Sequence, residues 1–142
     1  MIAIGSDHGG YDLKIAIIEL LEKRGLPFKD YGCYEKKSCD YPDFGKAVAQ
    51  AVKNGECERG ILVCTTGIGI SMTANRIPGI RCALCTDPFM AKMTRAHNNA
   101  NILALGGGIT GVLLALDIVE TFLDTPFSSE EKHQRRIEGI EK

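Results

Sequence analysis

The sequence lacks an excess of charge of either sign, and it lacks long hydrophobic runs. Its formal net charge at pH 7 is −1, with 25% of the 142 residues charged, so the charge predicts neither nucleic acid nor a membrane as a partner. Its apolar stretches fall well short of the roughly 18 residues that a membrane span needs, and no export signal is visible. We therefore expect a cytoplasmic protein.

Disulfide bonds and metal sites are not expected either. The chain has six cysteines and three histidines, but cysteines stay free thiols in a reducing compartment. Cys82 and Cys85 have a C-x-x-C spacing within a predicted strand, which puts their side chains on opposite faces and their Cα atoms about 10 Å apart. The histidines lie in distant segments with no ligand spacing. We predict no metal and no other cofactor.

Short apolar runs alternate with helical patterns along the chain. This alternation predicts an α/β fold, a single-domain Rossmann-like three-layer sandwich over residues 1–142 with a five-stranded parallel sheet. The predicted strands cover residues 1–5, 27–31, 60–64, 80–85 and 100–105. Helices are predicted between them, over 112–122, and at about 128–141.

The most informative segment is residues 60–71, an apolar strand that ends at Cys64 and continues into a glycine-spaced loop. Gly67 and Gly69 let backbone N–H groups approach a ligand, and the following helix directs its positive dipole end to the same point. Cys64 is thus well placed to become a thiolate; the alternative is a buried cysteine that only packs. The loop matches neither a P-loop nor a full G-x-G-x-x-G, so a nucleotide is not indicated.

Polar or glycine-rich segments follow the other strands too. Ligands of open α/β sheets collect at the carboxyl ends of the strands, where this sequence has Asp7 and His8, Cys64, Asp87 and the glycines 106–108. We expect these loops to converge. For Asp7 alone, a helix N-cap remains the alternative interpretation.

Two later segments are also open to two interpretations. Asn residues after His97 are typical of a helix C-terminal turn as well as of a ligand site. The basic residues at 132–136 could form a solvated helix face, balanced by nearby glutamates, or a site for an anion. Lys132 and Arg136 lie one turn apart, so the two charges share a face.

Several motifs occur together and in order. They are Gly5-Ser6-Asp7-His8-Gly9-Gly10, Asp40-Tyr41-Pro42, Cys64-Thr65-Thr66-Gly67-Ile68-Gly69-Ile70-Ser71, Asn75 with Pro78-Gly79-Ile80-Arg81, His97-Asn98-Asn99-Ala100-Asn101 and His133-Gln134-Arg135-Arg136. With them the sequence resembles, end to end, the ribose-5-phosphate isomerase B family and its relatives that isomerise allose 6-phosphate or galactose 6-phosphate.

The resemblance implies a cofactor-independent aldose–ketose isomerase. Ribose 5-phosphate to ribulose 5-phosphate is the expected reaction; the alternatives are a six-carbon sugar phosphate or a non-catalytic sugar-phosphate-binding subunit. By resemblance Cys64 is the base that transfers the proton through an enediolate, His97 is the acid that opens the sugar ring, and Thr66 completes the catalytic set. The implied substrate-binding residues are Asp7, His8, Tyr41, Thr65, Gly67, Ile68, Gly69, Ser71, Asn98, Gly108, Lys132 and Arg136.

The resemblance further implies a homodimer or homotetramer with active sites at the subunit interface, the last helix packing on a neighbouring subunit. Three positions depart from the usual pattern: Thr65 stands where Gly is common, and Gly108 and Lys132 stand where Arg is common. Lysine is a point charge that cannot reproduce the planar fork of arginine. Residues 107–111 look closer to the galactose-6-phosphate relatives, which leaves the preferred sugar open.

Overall fold

A computed structural model describes residues 1–142 as five strands and six α-helices. The strands are β1 (Ile2–Ser6), β2 (Phe28–Asp30), β3 (Arg59–Cys64), β4 (Cys82–Leu84) and β5 (Ile102–Gly106). The helices are α1 (Tyr11–Lys23), α2 (Tyr41–Lys53), α3 (Ile68–Asn75), α4 (Pro88–Asn98), α5 (Val112–Asp124) and α6 (Glu131–Glu141). All strand pairs are parallel and the order is β2-β1-β3-β5-β4, which confirms the predicted α/β fold.

Alternate side chains of the central strands form two separate cores. Ile61 and Val63 of β3 pack with apolar residues of α1, α4 and α5 on one face of the sheet. Leu62 and Cys64 pack with residues of α2 and α3 on the other. Burial on both faces is typical of parallel sheets, and the arrangement is the predicted three-layer sandwich.

The fourth strand is shorter than predicted. Only Cys82–Leu84 pair with β5, because the amide of Arg81 donates instead to the side chain of Asn101 (2.8 Å). Cys82 contacts the core formed with α2 and α3, whereas Cys85 belongs to the core on the opposite face of the sheet, as the strand periodicity predicts. All six cysteines are free. Burial raises the pKa of Cys82, and that of Cys85 to about 12, so both thiols stay protonated at neutral pH.

Lys14 on α1 is a charged residue buried in the fold. Its side chain has no solvent exposure, and its Nζ donates to both carboxylate oxygens of Asp30 (2.8 and 3.0 Å) and to the carbonyl of Cys33. The ring centroids of Tyr11 and Tyr34 lie 5.4 and 5.6 Å from Nζ. Lys14 therefore ties α1 to the segment that follows β2.

Because all strands are parallel, the sheet has a carboxyl edge, where every strand ends, and an amino edge, where every strand begins. Loops that follow strands lie at the carboxyl edge, whereas helices return the chain to the amino edge before the next strand starts. Helix α4 therefore begins at the carboxyl edge and ends at the amino edge, where α6 packs against it. None of the helices has the length and apolar character needed to cross a bilayer.

Candidate active site

Three loops meet around Cys64 at the carboxyl edge. The amides of Gly107 and Gly108 donate to the carbonyls of Cys64 and Thr65, both at 2.8 Å. The loop after β1 packs equally closely, since a Cβ on Gly9 would lie 2.0 Å from Thr65 Oγ1. The loops after β1, β3 and β5 thus converge as expected from the fold.

Asp87 follows β4 but has a different role. Its carboxylate accepts a hydrogen bond from the amide of Met90 (2.9 Å) and caps the N-terminus of α4. Asp87 does not line the cavity beside Cys64.

Cys64 is only 4% exposed, but its sulfur lies in a polar turn. Sγ accepts a hydrogen bond from the amide of Gly67 at 3.1 Å. Gly67 has φ +78°, and a Cβ there would lie 2.6 Å from Leu84 Cδ1, so only glycine fits this turn. An N–H that donates to sulfur stabilises the thiolate over the thiol.

Further amides of the same loop and of the first turn of α3 are unpartnered. The backbone N–H groups of Thr65, Thr66, Gly69 and Ile70 have no acceptor within the chain. The amide of Ile68 donates to Thr66 Oγ1 (3.2 Å), which leaves the proton of that hydroxyl free to point elsewhere. The positive end of the α3 dipole lies at the same place. This group of donors suits an anion, or negative charge that develops during a reaction.

A cavity of about 480 Å³ opens beside Cys64. Its lining includes seven of the predicted site residues, and the complete set is Asp7, Tyr41, Cys64, Thr65, Thr66, Ile68, Gly69 and Met72. Asp7 also accepts from the amide of Gly10 (3.1 Å), so its capping role is real as well. The volume is within the range of small-molecule sites.

Three predicted residues sit at or beyond the rim of this cavity. Ser71 lies on α3, but its hydroxyl donates to the carbonyl of Ile68 (2.8 Å) and is used within the helix. His8 is exposed and its Nδ1 accepts from the amide of Cys39 (3.3 Å), which leaves Nε2 as the protonated nitrogen. Gly108 packs beside Thr65, whose Cγ2 would lie 3.0 Å from a Cβ at position 108.

Within one folded copy of the chain, His97 and Asn98 do not lie near Cys64. They form the last turn of α4, and the carbonyl of nearby Asn101 accepts from the amide of Gly60 (2.9 Å). Gly60 precedes Cys64 by four residues of a strand, a rise of about 13 Å. The structure therefore holds Cys64 at the carboxyl edge and His97 at the amino edge of one sheet.

Lys132 and Arg136 lie on α6, near the end of α4. Arg135 pairs with Glu131 (2.9 Å) along the helix, as a solvated face would, but neither Lys132 nor Arg136 has a carboxylate partner. Two cations one turn apart are thus left available for an anion.

The end of α4 is held in place by an arginine that the sequence interpretation did not single out. Arg81 donates through Nε to the carbonyl of Asn98 and through Nη2 to that of Asn99, both at 3.0 Å. Its Nη1 pairs with Glu141 on α6 (2.5 Å). Asn99 has φ +45° and ends the helix, so the interpretation of this segment as a helix C-terminal turn is also correct.

His133 on α6 also escaped assignment to the site. Its ring stacks on that of His97, with centroids 4.1 Å apart and an interplanar angle of 13°. Only its place in the motif at 133–136 pointed to it. No three or more His, Cys, Asp or Glu side chains are arranged to hold a metal ion.

Comparison with known proteins finds matches over nearly the whole chain. A family model described as Ribose/Galactose Isomerase matches residues 2–140. A solved structure of ribose-5-phosphate isomerase B from Clostridium thermocellum superposes with a TM-score of 0.97 at 55% identity, covering 99% of this chain and 94% of that one.

Two curated relatives match at similar identity. Ribose-5-phosphate isomerase B of Escherichia coli is 42% identical, over 98% of this chain and 93% of the relative. Galactose-6-phosphate isomerase subunit LacB of Clostridium acetobutylicum is 40% identical, over 99% and 82% respectively.

Proposed function

Because the chain belongs to the ribose/galactose isomerase family, we propose that it interconverts an aldose phosphate and a ketose phosphate, with ribose 5-phosphate and ribulose 5-phosphate as the preferred pair. The observation that supports this most directly is the sulfur of Cys64, which accepts a hydrogen bond from Gly67 beside an open cavity. Three residues that line this cavity, Thr65, Thr66 and Gly69, have unpartnered amides. A base and an anion-stabilising group are the two elements that the reaction needs.

Proton transfer between adjacent carbons is assigned to Cys64. As a thiolate it removes the proton from C2 of the open-chain aldose, and the electron pair forms the C1–C2 double bond of an enediolate. The thiol then returns the proton to C1, while the hydroxyl proton of O2 passes to O1. Negative charge on the enediolate oxygens is stabilised by the amides of Thr65, Gly69 and Ile70 and by the hydroxyl of Thr66, interactions that are weaker in the ground state.

The complete site is proposed to form between two copies of the chain. Sugar ring opening needs an acid, and His97 lies at the opposite edge of the sheet from Cys64. The strand from Gly60 to Cys64 alone rises about 13 Å between the two edges, which a side-chain rotation does not span. In a two-fold symmetric dimer the amino edge of one copy can face the carboxyl edge of the other, which generates two equivalent sites. A homodimer, or a homotetramer of such dimers, satisfies this requirement.

The phosphate is proposed to bind between the two edges. Lys132 and Arg136 of one copy supply the positive charge, and Nε2–H of His8 from the other donates a hydrogen bond. His8 contributes its Nε2–H in this arrangement, because its Nδ1 is used by the amide of Cys39.

A six-carbon sugar phosphate is the second candidate substrate. Gly108 adds no side chain at the cavity rim, where the resembling ribose-phosphate enzymes commonly carry Arg, and the LacB relative is 40% identical. The neighbouring Thr65 and Gly108 therefore define the region where the choice of sugar is made.

The test is turnover by Cys64→Ala and Cys64→Ser variants of the purified chain. Ribose 5-phosphate, allose 6-phosphate and galactose 6-phosphate are assayed in parallel, following ketose formation. We expect each variant to keep its fold and KM but to lose about a thousandfold in kcat, the scale of general-base catalysis. Cys82→Ala is the matched control, because that thiol lies on β4 away from the cavity, and it should keep full activity.

Two outcomes would contradict the proposal. Retained isomerase activity in Cys64→Ala removes this cysteine from the role of base. Binding of sugar phosphates without turnover by the wild-type chain favours a non-catalytic subunit instead.

A further inference from the structure

His133 is one of the few buried polar residues and lies directly against His97. It is 7% exposed, and its ring covers one face of the His97 imidazole at 4.1 Å. His97 itself is only partly buried, and the stacked ring of His133 restricts the orientation of its side chain at the end of α4. Stacked aromatic rings at this separation are a specific and favourable packing arrangement.

A second contact fixes His133 in turn. Its Nε2 lies 3.0 Å from Oε2 of Glu130, the residue that precedes α6. The titratable and charged groups that act on His133 are His97 from α4, Glu130 at the start of α6, and Lys132 and Arg136 on α6. Burial, together with the positive charges of His97, Lys132 and Arg136, lowers the pKa of His133 against the opposing effect of Glu130, so its ring is neutral near pH 7.

We propose that His133 is a positioning residue for His97: it holds the imidazole of His97 by ring stacking in the orientation needed to deliver a proton, while Glu130 holds His133. The proposal rests on the proposed function, in which His97 is the acid of ring opening.

Kinetic measurements on three variants test the role of the ring. His133→Ala should lower kcat for ribose 5-phosphate by about tenfold to a hundredfold with little change in KM, the cost of a misplaced catalytic group. His133→Phe keeps a flat ring and should restore most of the loss. Gln134→Ala, an exposed position on the same helix, is the matched control and should behave as the wild type.

Circular dichroism spectra and thermal melts separate orientation from a general loss of structure. Both His133→Phe and His133→Ala should keep the wild-type fold, so that only the loss of the ring in His133→Ala lowers kcat. Wild-type kcat in His133→Ala, or a His133→Phe variant as slow as His133→Ala with an intact fold, would overturn the proposal.

An NMR measurement tests the stack without reference to activity. The Cε1–H resonance of His97 should show an upfield ring-current shift in the wild type and in His133→Phe, and lose it in His133→Ala. An unchanged resonance in His133→Ala refutes the positioning role. If the wild-type chain has no isomerase activity the proposed function fails on its own, and the NMR result still decides whether His133 holds His97.

Discussion

Activity should be recoverable by mixing two inactive variants, Cys64→Ala and His97→Ala. Cys64 and His97 lie at opposite edges of each sheet, so in the proposed symmetric dimer every site takes one residue from each copy. A mixed dimer of the two variants has one site with both defects and one site with neither. Random re-pairing of equal amounts gives half mixed dimers, so about a quarter of all sites, and of wild-type activity, should return.

The assay needs exchange of subunits and a control for it. The two variants are mixed, incubated until native mass spectrometry of differently tagged chains shows mixed dimers, and assayed with ribose 5-phosphate. The matched control pairs Cys64→Ala with Asp7→Asn. Both positions are at the carboxyl edge, so every site in a mixed dimer retains one defect and no activity should return.

Two results would refute the reasoning. If mixed dimers form but the Cys64→Ala and His97→Ala pair stays inactive, the two residues do not act together across the interface. If the same-edge control recovers as much activity, exchange itself rather than site sharing explains the gain.

Two further predictions concern stability. Gly108→Ala should be destabilising because its Cβ would lie 3.0 Å from Thr65 Cγ2 and 3.1 Å from the carbonyl oxygen of Thr65. Thr65→Gly removes the first of these two contacts, so a double-mutant cycle in urea should give a coupling free energy of about 1 kcal/mol. Additive effects would mean that the two positions are independent. Lys14→Met leaves the carboxylate of Asp30 without its cation and should lower the free energy of unfolding by about 3 kcal/mol. Lys36→Met breaks the exposed pair with Asp12 and should change nothing measurable. Equal urea unfolding midpoints for the two variants would show that the Lys14 contacts contribute little.

Periodicity and spacing predicted the fold well because both are local signals. The alternation of Leu62 and Cys64 with Ile61 and Val63 assigns side chains to two faces, and a run of such strands joined by helices implies a parallel sheet. The prediction for β4 was too long at its start. The apolar run from Ile80 gives no sign that the Arg81 amide donates a hydrogen bond to the side chain of Asn101.

The order of the strands predicted one part of the site from the sequence but not the other. Cys64 and the loops after β1 and β5 were expected to meet, since strand ends share one edge. The separation of His97 from Cys64 could be foreseen only by asking where α4 ends, and the role of the tail helix came from family resemblance. Contacts between distant segments, such as His133 on His97, have no signature in either segment alone.

Lys14 illustrates a signal that was present but weak. It occupies an apolar stripe with Ile18 and Leu21 at helical spacing, which is an unusual place for a lysine. Its partner Asp30 lies at the end of a three-residue strand, and no pattern links the two positions.

The separation between the two ends of the strands also affects how the protein behaves in dilute solution. An isolated copy keeps the sulfur of Cys64 and the imidazole of His97 at opposite ends of the sheet. Turnover would therefore follow the concentration of paired molecules rather than the total amount of polypeptide. Specific activity should then fall on dilution below the dissociation constant of the pair, and substrate, by bridging the two ends, should draw the copies back together.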